Sequence, residues 1–273
     1  MLCRPSGRGS AIGVAISAWL WLQLQTLAYQ TAGNITSNPT LDHLPTRIIG
    51  GKRIKCSRAP YQCAVIYEND FICGCVILNR RWLLTAHHCI VGGAGKYQIR
   101  AGTTQQRRGG QLRRVKTIVA HAGYSENTMR NDLAMMKLRE PLKHNRCVKP
   151  VRLPSRKRTR WPECYLVSGW GLAQANAQNV QRYLRGERVC KVRRGRCRQM
   201  YRRTGVKIYK DMICAARPGK DSCSGDSGGP LVHGNTLYGI VSFGIGCANR
   251  NYPGIYVNVK RYVPWIRKVM RKY

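Results

Sequence analysis

From residue 48 onward the chain is written in short apolar runs, each stopped by turn residues before it could complete a helix. Gln62 to Tyr67, Phe71 to Leu78, Trp82 to Ala86, Tyr97 to Ala101, Lys116 to His121 and Leu133 to Leu138 read as strands. So do Cys164 to Val167, Leu237 to Phe243 and Gly254 to Val259. Many short strands with frequent Gly and Pro between them predict an all-β barrel or sandwich. The C-terminus departs from this texture. Val263, Ile266, Val269 and Met270 recur at helical spacing with Lys and Arg between them, which predicts one amphipathic helix. The sequence contains no internal repeat and no low-complexity tract.

The first 47 residues belong to neither pattern. Arg4 and Arg8 precede Ala11 to Ala28, an uncharged and mostly apolar run ending in Thr26-Leu27-Ala28. Residues 1–28 therefore read as a signal peptide. The alternative is a retained membrane anchor, but Gln23, Gln25 and Thr26 interrupt the run, and a lasting span needs about 20 apolar residues. Residues 29–47 are polar, with Pro39 and Pro45, and read as a propeptide. Export fits the thirteen cysteines, a number suited to an oxidising compartment. Asn34-Ile35-Thr36 is a glycosylation sequon, whereas proline blocks Asn38-Pro39-Thr40. The formal net charge of +37 asks for a polyanionic or acidic partner, while 43% hydrophobic residues are enough to build a core.

Three motifs carry chemistry. In Gly225-Asp226-Ser227-Gly228-Gly229-Pro230 a serine flanked by glycines can sit on a tight turn, with backbone N–H groups converging near its hydroxyl. A serine hydroxyl is a poor nucleophile until a base takes its proton. Thr85-Ala86-His87-His88-Cys89 offers the base. Asn131-Asp132-Leu133, at the head of an apolar strand, offers a carboxylate to orient it. Together, in the order His, Asp, Ser, the motifs resemble those of the trypsin-like (chymotrypsin-fold) serine proteases, from Arg47 to the C-terminus.

The resemblance implies two packed six-stranded antiparallel β-barrels with a C-terminal α-helix, residues 48–273 forming the protease domain. It implies a triad of His88, Asp132 and Ser227, an oxyanion hole from the N–H groups of Gly225 and Ser227, and a bond from Ser242 to the aspartate. Of the two adjacent histidines, His88 neighbours Cys89, whose disulfide would hold it at the barrel seam. His87 is expected to be a packed side chain. Arg47-Ile48-Ile49-Gly50-Gly51 resembles the activation site. Cutting after Arg47, by an activating trypsin-like protease, would free the α-amino group of Ile48 to pair with Asp226. Asp221 matches the floor of the specificity pocket, and Gly244 and Gly254 match walls that must stay small. The implied substrates are proteins or peptides with Arg or Lys at the cleaved position.

One cysteine, Cys3, lies in the leader, and the remainder is even in number. The resemblance pairs Cys73 with Cys89, Cys197 with Cys214, and Cys223 with Cys247. Cys56, Cys63, Cys75, Cys147, Cys164 and Cys190 keep open the fifteen connectivities that six cysteines allow. Family positions favour Cys63–Cys75, Cys164–Cys190 and Cys56–Cys147. Cys73-Gly74-Cys75 could suggest a metal, but no further ligands accompany it, and no metal or cofactor is expected. The loop that supplies carboxylates in calcium-binding relatives here runs Thr103 to Arg114, with four arginines and no acid, so no calcium is expected there. Phe243 stands where the family usually has Trp.

Removing residues up to Arg47 leaves a net charge of +35. The bases cluster at Arg107 to Arg114, Arg156 to Arg160, Arg182 to Arg203 and Lys260 to Lys272, and few acids offset them. The first loop and the terminal helix resemble the anion-binding exosites of clotting proteases, so a sulfated polysaccharide or an acidic protein is the expected partner. Export sets nucleic acid aside, and a monomer is expected. The rival from another class is a non-catalytic polyanion-binding protein on the same scaffold; the intact His88, Asp132 and Ser227 oppose it.

Overall fold

The computed structural model describes residues 51–155, 160–171, 180–217, 225–246 and 251–273. The first barrel is built from β2 (Gln62–Tyr67), β3 (Asp70–Ile77), β4 (Trp82–Thr85), β5 (Tyr97–Ala101), β6 (Gln111–Ala120) and β7 (Ala134–Leu138). These close antiparallel in the order β2-β3-β4-β7-β6-β5. In β5, buried Tyr97, Ile99 and Ala101 alternate with more exposed Gln98 and Arg100, the period-2 pattern of a strand with one face inward. β4 is buried at every position because its outer face is covered as well. Val65, Ile99, Leu83, Met135 and Met136 fill the interior.

The second barrel uses β8 (Cys164–Gly169), β9 (Arg185–Val192), β10 (Met212–Ala216), β11 (Pro230–His233), β12 (Thr236–Phe243) and β13 (Gly254–Asn258). Pairing of β8 with β9 closes the order β9-β10-β13-β12-β11-β8, and β1 (Lys52–Arg53) adds to the edge of β9. Its core is aromatic and β-branched: Tyr165, Tyr238 and Tyr256 pack with Val167, Val189 and Ile213. Among the described residues two α-helices complete the fold. α1 (Arg194–Tyr201) buries Cys197 and Tyr201. α2 (Val259–Lys272) buries Val259, Tyr262, Val263, Ile266 and Val269 on one face. Each large apolar side chain so covered stabilises the fold by about 1.5–3 kcal/mol.

Both expected barrels and the terminal helix are present. The strand expected at Lys116 begins five residues earlier, at Gln111, and the helix claims Val259 from the end of the last strand. β9, β10, β11 and α1 were not foreseen. Five disulfides join Cys56–Cys147, Cys63–Cys75, Cys73–Cys89, Cys164–Cys190 and Cys197–Cys214. Register explains two of them: Cys63 lies directly opposite Cys75, and Cys164 opposite Cys190. Cys223 and Cys247 lie outside the described residues.

The barrels meet along a packed seam. Ser168 on β8 donates to Gln62 Oε1 on β2 at 2.8 Å, and Phe71 meets Trp170 edge-on at 6.0 Å. Apolar contact continues across it, since Val232, Leu237, Ile240 and Val257 of the second barrel join the core cluster of the first.

Candidate active site

His88 sits on a single 3-10 turn, His87–Cys89, that follows β4 directly. The Cys73–Cys89 disulfide ties this turn back to β3. Asp132 comes from the loop before β7, and its side chain is fully buried. Its carboxylate meets His88 twice. The backbone N–H of His88 donates to Oδ1 at 3.0 Å, and the ring Nδ1 lies 2.8 Å from Oδ2. Ser242, near the end of β12, donates its hydroxyl to Oδ2 at 2.5 Å from the other barrel. Burial alone would push the Asp132 carboxyl up. The charge of His88 and the hydrogen bonds from its ring, from Ser242 and from the His88 N–H outweigh burial and hold it below the usual carboxylate range. The carboxylate is thus an acceptor only, so Nδ1 of His88 carries a proton and donates it.

Ser227 follows a turn that only glycine makes easily. Gly225 has φ +91° and Gly228 has φ +76°. A Cβ on Gly228 would collide with Thr85 Oγ1 and the Gly74 carbonyl. The Ser227 carbonyl accepts the Gly74 N–H at 2.7 Å, and Gly229 N–H closes the turn onto the Asp226 carbonyl at 2.8 Å. The serine segment is therefore stitched to the residue next to Cys73, whose disulfide partner is the residue next to His88. Asp226 is 1% exposed, and its Oδ1 accepts the Gly171 N–H at 2.8 Å. Side chains on Gly169 or Gly171 would strike this carboxylate, so both glycines make room for it.

Gly244 and Gly254 face each other: a Cβ on Gly244 would lie 3.9 Å from the Gly254 Cα. Arg47, Ile48 and Asp221 lie outside the described residues. Cys73, Cys89 and His88 bring potential ligand atoms within 4.8 Å of one another, but the two sulfurs are bonded to each other and offer no thiolate. The arginine-rich loop is tied by its own groups, with Arg100 donating to the Gly109 carbonyl at 2.8 Å and Thr103 to the Arg108 carbonyl at 2.9 Å.

The sequence did not mark the residues that fix Asp132. Asn131, with φ +55°, turns the chain into the aspartate. Its amide donates to the Gly123 carbonyl at 2.6 Å and accepts from the Tyr262 hydroxyl at 2.7 Å, so α2 clamps the loop. Asn tolerates the left-handed region better than most residues, and Asn-Asp before an apolar strand was the available signal. His87 stacks on Tyr124, ring centroids 3.9 Å apart. Burial lowers its pKa; Asp132 opposes this and the neighbouring His88 adds to it.

The family model described as Trypsin matches residues 48–266. The chain is 38% identical over 227 residues to Trypsin 5G1 of Aedes aegypti, covering 82% of this chain and 85% of that protein. It is 35% identical over 235 residues to Trypsin alpha of Drosophila melanogaster, covering 86% of this chain and 91% of that one. Among solved structures it resembles neuropsin, a serine protease expressed in the limbic system of mouse brain. The TM-score is 0.74 at 31% identity, over 81% of this chain and 99% of that one.

Proposed function

Because the chain belongs to the trypsin family and is a serine-type endopeptidase, we propose that His88, Asp132 and Ser227 form its triad and that it cuts after Arg or Lys. The observation that carries this is the His88–Asp132 pair, buried on its acid side and closed by Ser242. With Nδ1–H held by Asp132, His88 Nε2 takes the proton of Ser227 Oγ as that oxygen attacks the substrate carbonyl carbon. The oxyanion is received by the N–H groups of Gly225 and Ser227, which converge on it once the cut chain has formed the serine turn. His88 then hands its proton to the leaving amine, and water repeats the sequence on the acyl-enzyme. Asp132 stays ionised throughout and stabilises the imidazolium.

Gly244 and Gly254 carry no side chain that would narrow the entry for a long substrate side chain. Asp221, six residues before Ser227 in Lys220-Asp221-Ser222-Cys223, supplies the carboxylate for its cationic end. The chain is exported as a zymogen with residues 1–28 as signal and 29–47 as propeptide. No helix among the described residues is long and apolar enough to cross a membrane. Cleavage after Arg47 sends the Ile48 ammonium to Asp226, because so buried a carboxylate is stabilised when a cation reaches it. The mature protease works as a monomer and uses its basic surface to hold a polyanion.

The test is a peptide library exposed to the chain cut after Arg47, as wild type and as Asp221→Ser. Wild type should cut after Arg and Lys, and the variant should lose that preference while still cutting. An unchanged Arg/Lys preference in Asp221→Ser refutes the specificity reading, and equal turnover by the uncut chain refutes the zymogen.

A further inference from the structure

The second barrel carries a cavity of about 730 Å³, and none of its lining residues belongs to the proposed catalytic machinery. Five cations line it: Lys191 from β9, Arg193 and Arg194 at the entry to α1, and Lys260 and Arg261 in the first turn of α2. Among the described residues no Asp or Glu lines it. Like charges gathered around one hollow repel each other and raise the local concentration of anions. Four of the five stand at a helix start, where the free amides already carry partial positive charge and carboxylates are the usual residents.

Two further features narrow the ligand. Asn258, the residue before α2, lines the cavity and is 7% exposed. Its side chain caps nothing on α2, and its buried Oδ1 has no donor. Trp161, half-buried, adds an indole, with Lys260 Nζ 5.9 Å from the ring centroid.

These groups ask for different things. The cations want anionic oxygens, and arginine forks take sulfate in two parallel bonds. The Asn258 oxygen wants a hydroxyl or N–H. The indole wants an apolar face. Inorganic sulfate meets only the first need. An acidic peptide meets the first two but carries no ring face beside each charge. A sulfated sugar unites all three on one ring, in its sulfate esters, its free hydroxyls and its C–H face. We infer that this cavity binds a sulfated oligosaccharide. The inference rests on the polyanion reading above and gives it a place and a chemistry. The catalytic groove stays open, so the bound enzyme is anchored and still able to cut.

The full chain carrying Ser227→Ala, to prevent self-cleavage, is titrated with a heparin-derived hexasaccharide at about 150 mM NaCl, where exposed charges are screened beyond about 8 Å. Saturable one-to-one binding is expected. Lys191→Ala/Arg194→Ala should weaken it about tenfold or more, because these cations surround the ligand. Arg107→Ala/Arg114→Ala removes the same charge from the first barrel and should weaken it less than about twofold. Trp161→Ala should weaken the hexasaccharide more than a hexaglutamate peptide. Trp161 packs on Tyr238, so if that variant fails to fold, the surface pair Lys191/Arg194 decides. Equal losses from the two charge pairs overturn the cavity and leave the polyanion reading standing. Absence of wild-type binding overturns both. Hexaglutamate or an oligothymidylate of equal charge binding as tightly as the sugar overturns the sulfated-sugar assignment.

Discussion

The two barrels share a strand count and a closed topology but are made of different material. In the first, β2, β4 and β7 are buried at nearly every position, and the core is largely aliphatic and methionine, joined by Trp82 and Tyr97. In the second, β9 packs Arg185, Glu187, Arg188 and Lys191 into eight residues. Arg185 and Glu187 are buried, at 7% and 6% exposed. Arg185 donates to Gln181 at 2.9 Å and to the Gly51 carbonyl at 3.0 Å, while Glu187 receives Arg217 at 2.7 Å. The strands of the first barrel are held by apolar burial and by the Cys63–Cys75 and Cys73–Cys89 disulfides, whereas β9 of the second also depends on charged side chains that stay paired. In the function proposed above their tasks differ in parallel: the first would supply the groups that handle protons, and the second the serine turn and the pocket walls.

That division can be broken by substitution. The largest expected effect is on the first barrel's acid. Asp132→Asn should lower kcat about 10,000-fold with little change in KM, because the amide holds the wrong tautomer of His88. A loss confined to KM would contradict the proton-handling role. Next comes the hydrogen bond that reaches this acid across the seam. Ser242→Ala removes a bond to a buried charge worth about 1.5–3 kcal/mol, so kcat should fall roughly tenfold or more although the residue belongs to the second barrel. Smaller, and on stability alone, Glu187→Leu should lower Tm by a few degrees, since the half-exposed Arg217 and the Arg188 N–H lose their acceptor at a cost of about 1 kcal/mol.

The smallest effect separates the histidines. The pKa of His87 is lowered by burial, as is that of His121, with His87 adding to the shift there. The unfolded chain therefore binds protons first as pH falls through about 6.5, and stability declines from there toward the lower folded values. His87→Ala should flatten the fall of Tm between about pH 6.5 and pH 5. An unchanged slope would remove His87 from that role.

The same contrast explains what could be read from the chain. All six strands of the first barrel were legible because their residues are apolar and well punctuated. Only β6 was too short as read, since the charged pair Arg113 and Arg114, neither of them buried, hid its start. In the second barrel β9 escaped notice because its charges are satisfied by partners distant in sequence, which no periodicity reveals. β10 is a brief Met-Ile-Cys-Ala-Ala, and β11 opens on a proline. α1 carries three arginines and a glycine in eight residues and holds through Cys197 and Tyr201 rather than through propensity. At the site, His88, Asp132 and Ser242 come together as their motifs implied. Asn131 and Tyr262 gain their part only when α2 folds back onto the loop before β7, and Tyr124 gains its own by stacking on His87.

The triad is tested most directly by treating the chain cut after Arg47 with a fluorophosphonate and mapping the adduct by mass spectrometry. One covalent adduct on Ser227, absent from Ser227→Ala and slowed sharply in Asp132→Asn, is the expected result. No adduct on the activated chain, or one that persists in Ser227→Ala, would contradict it.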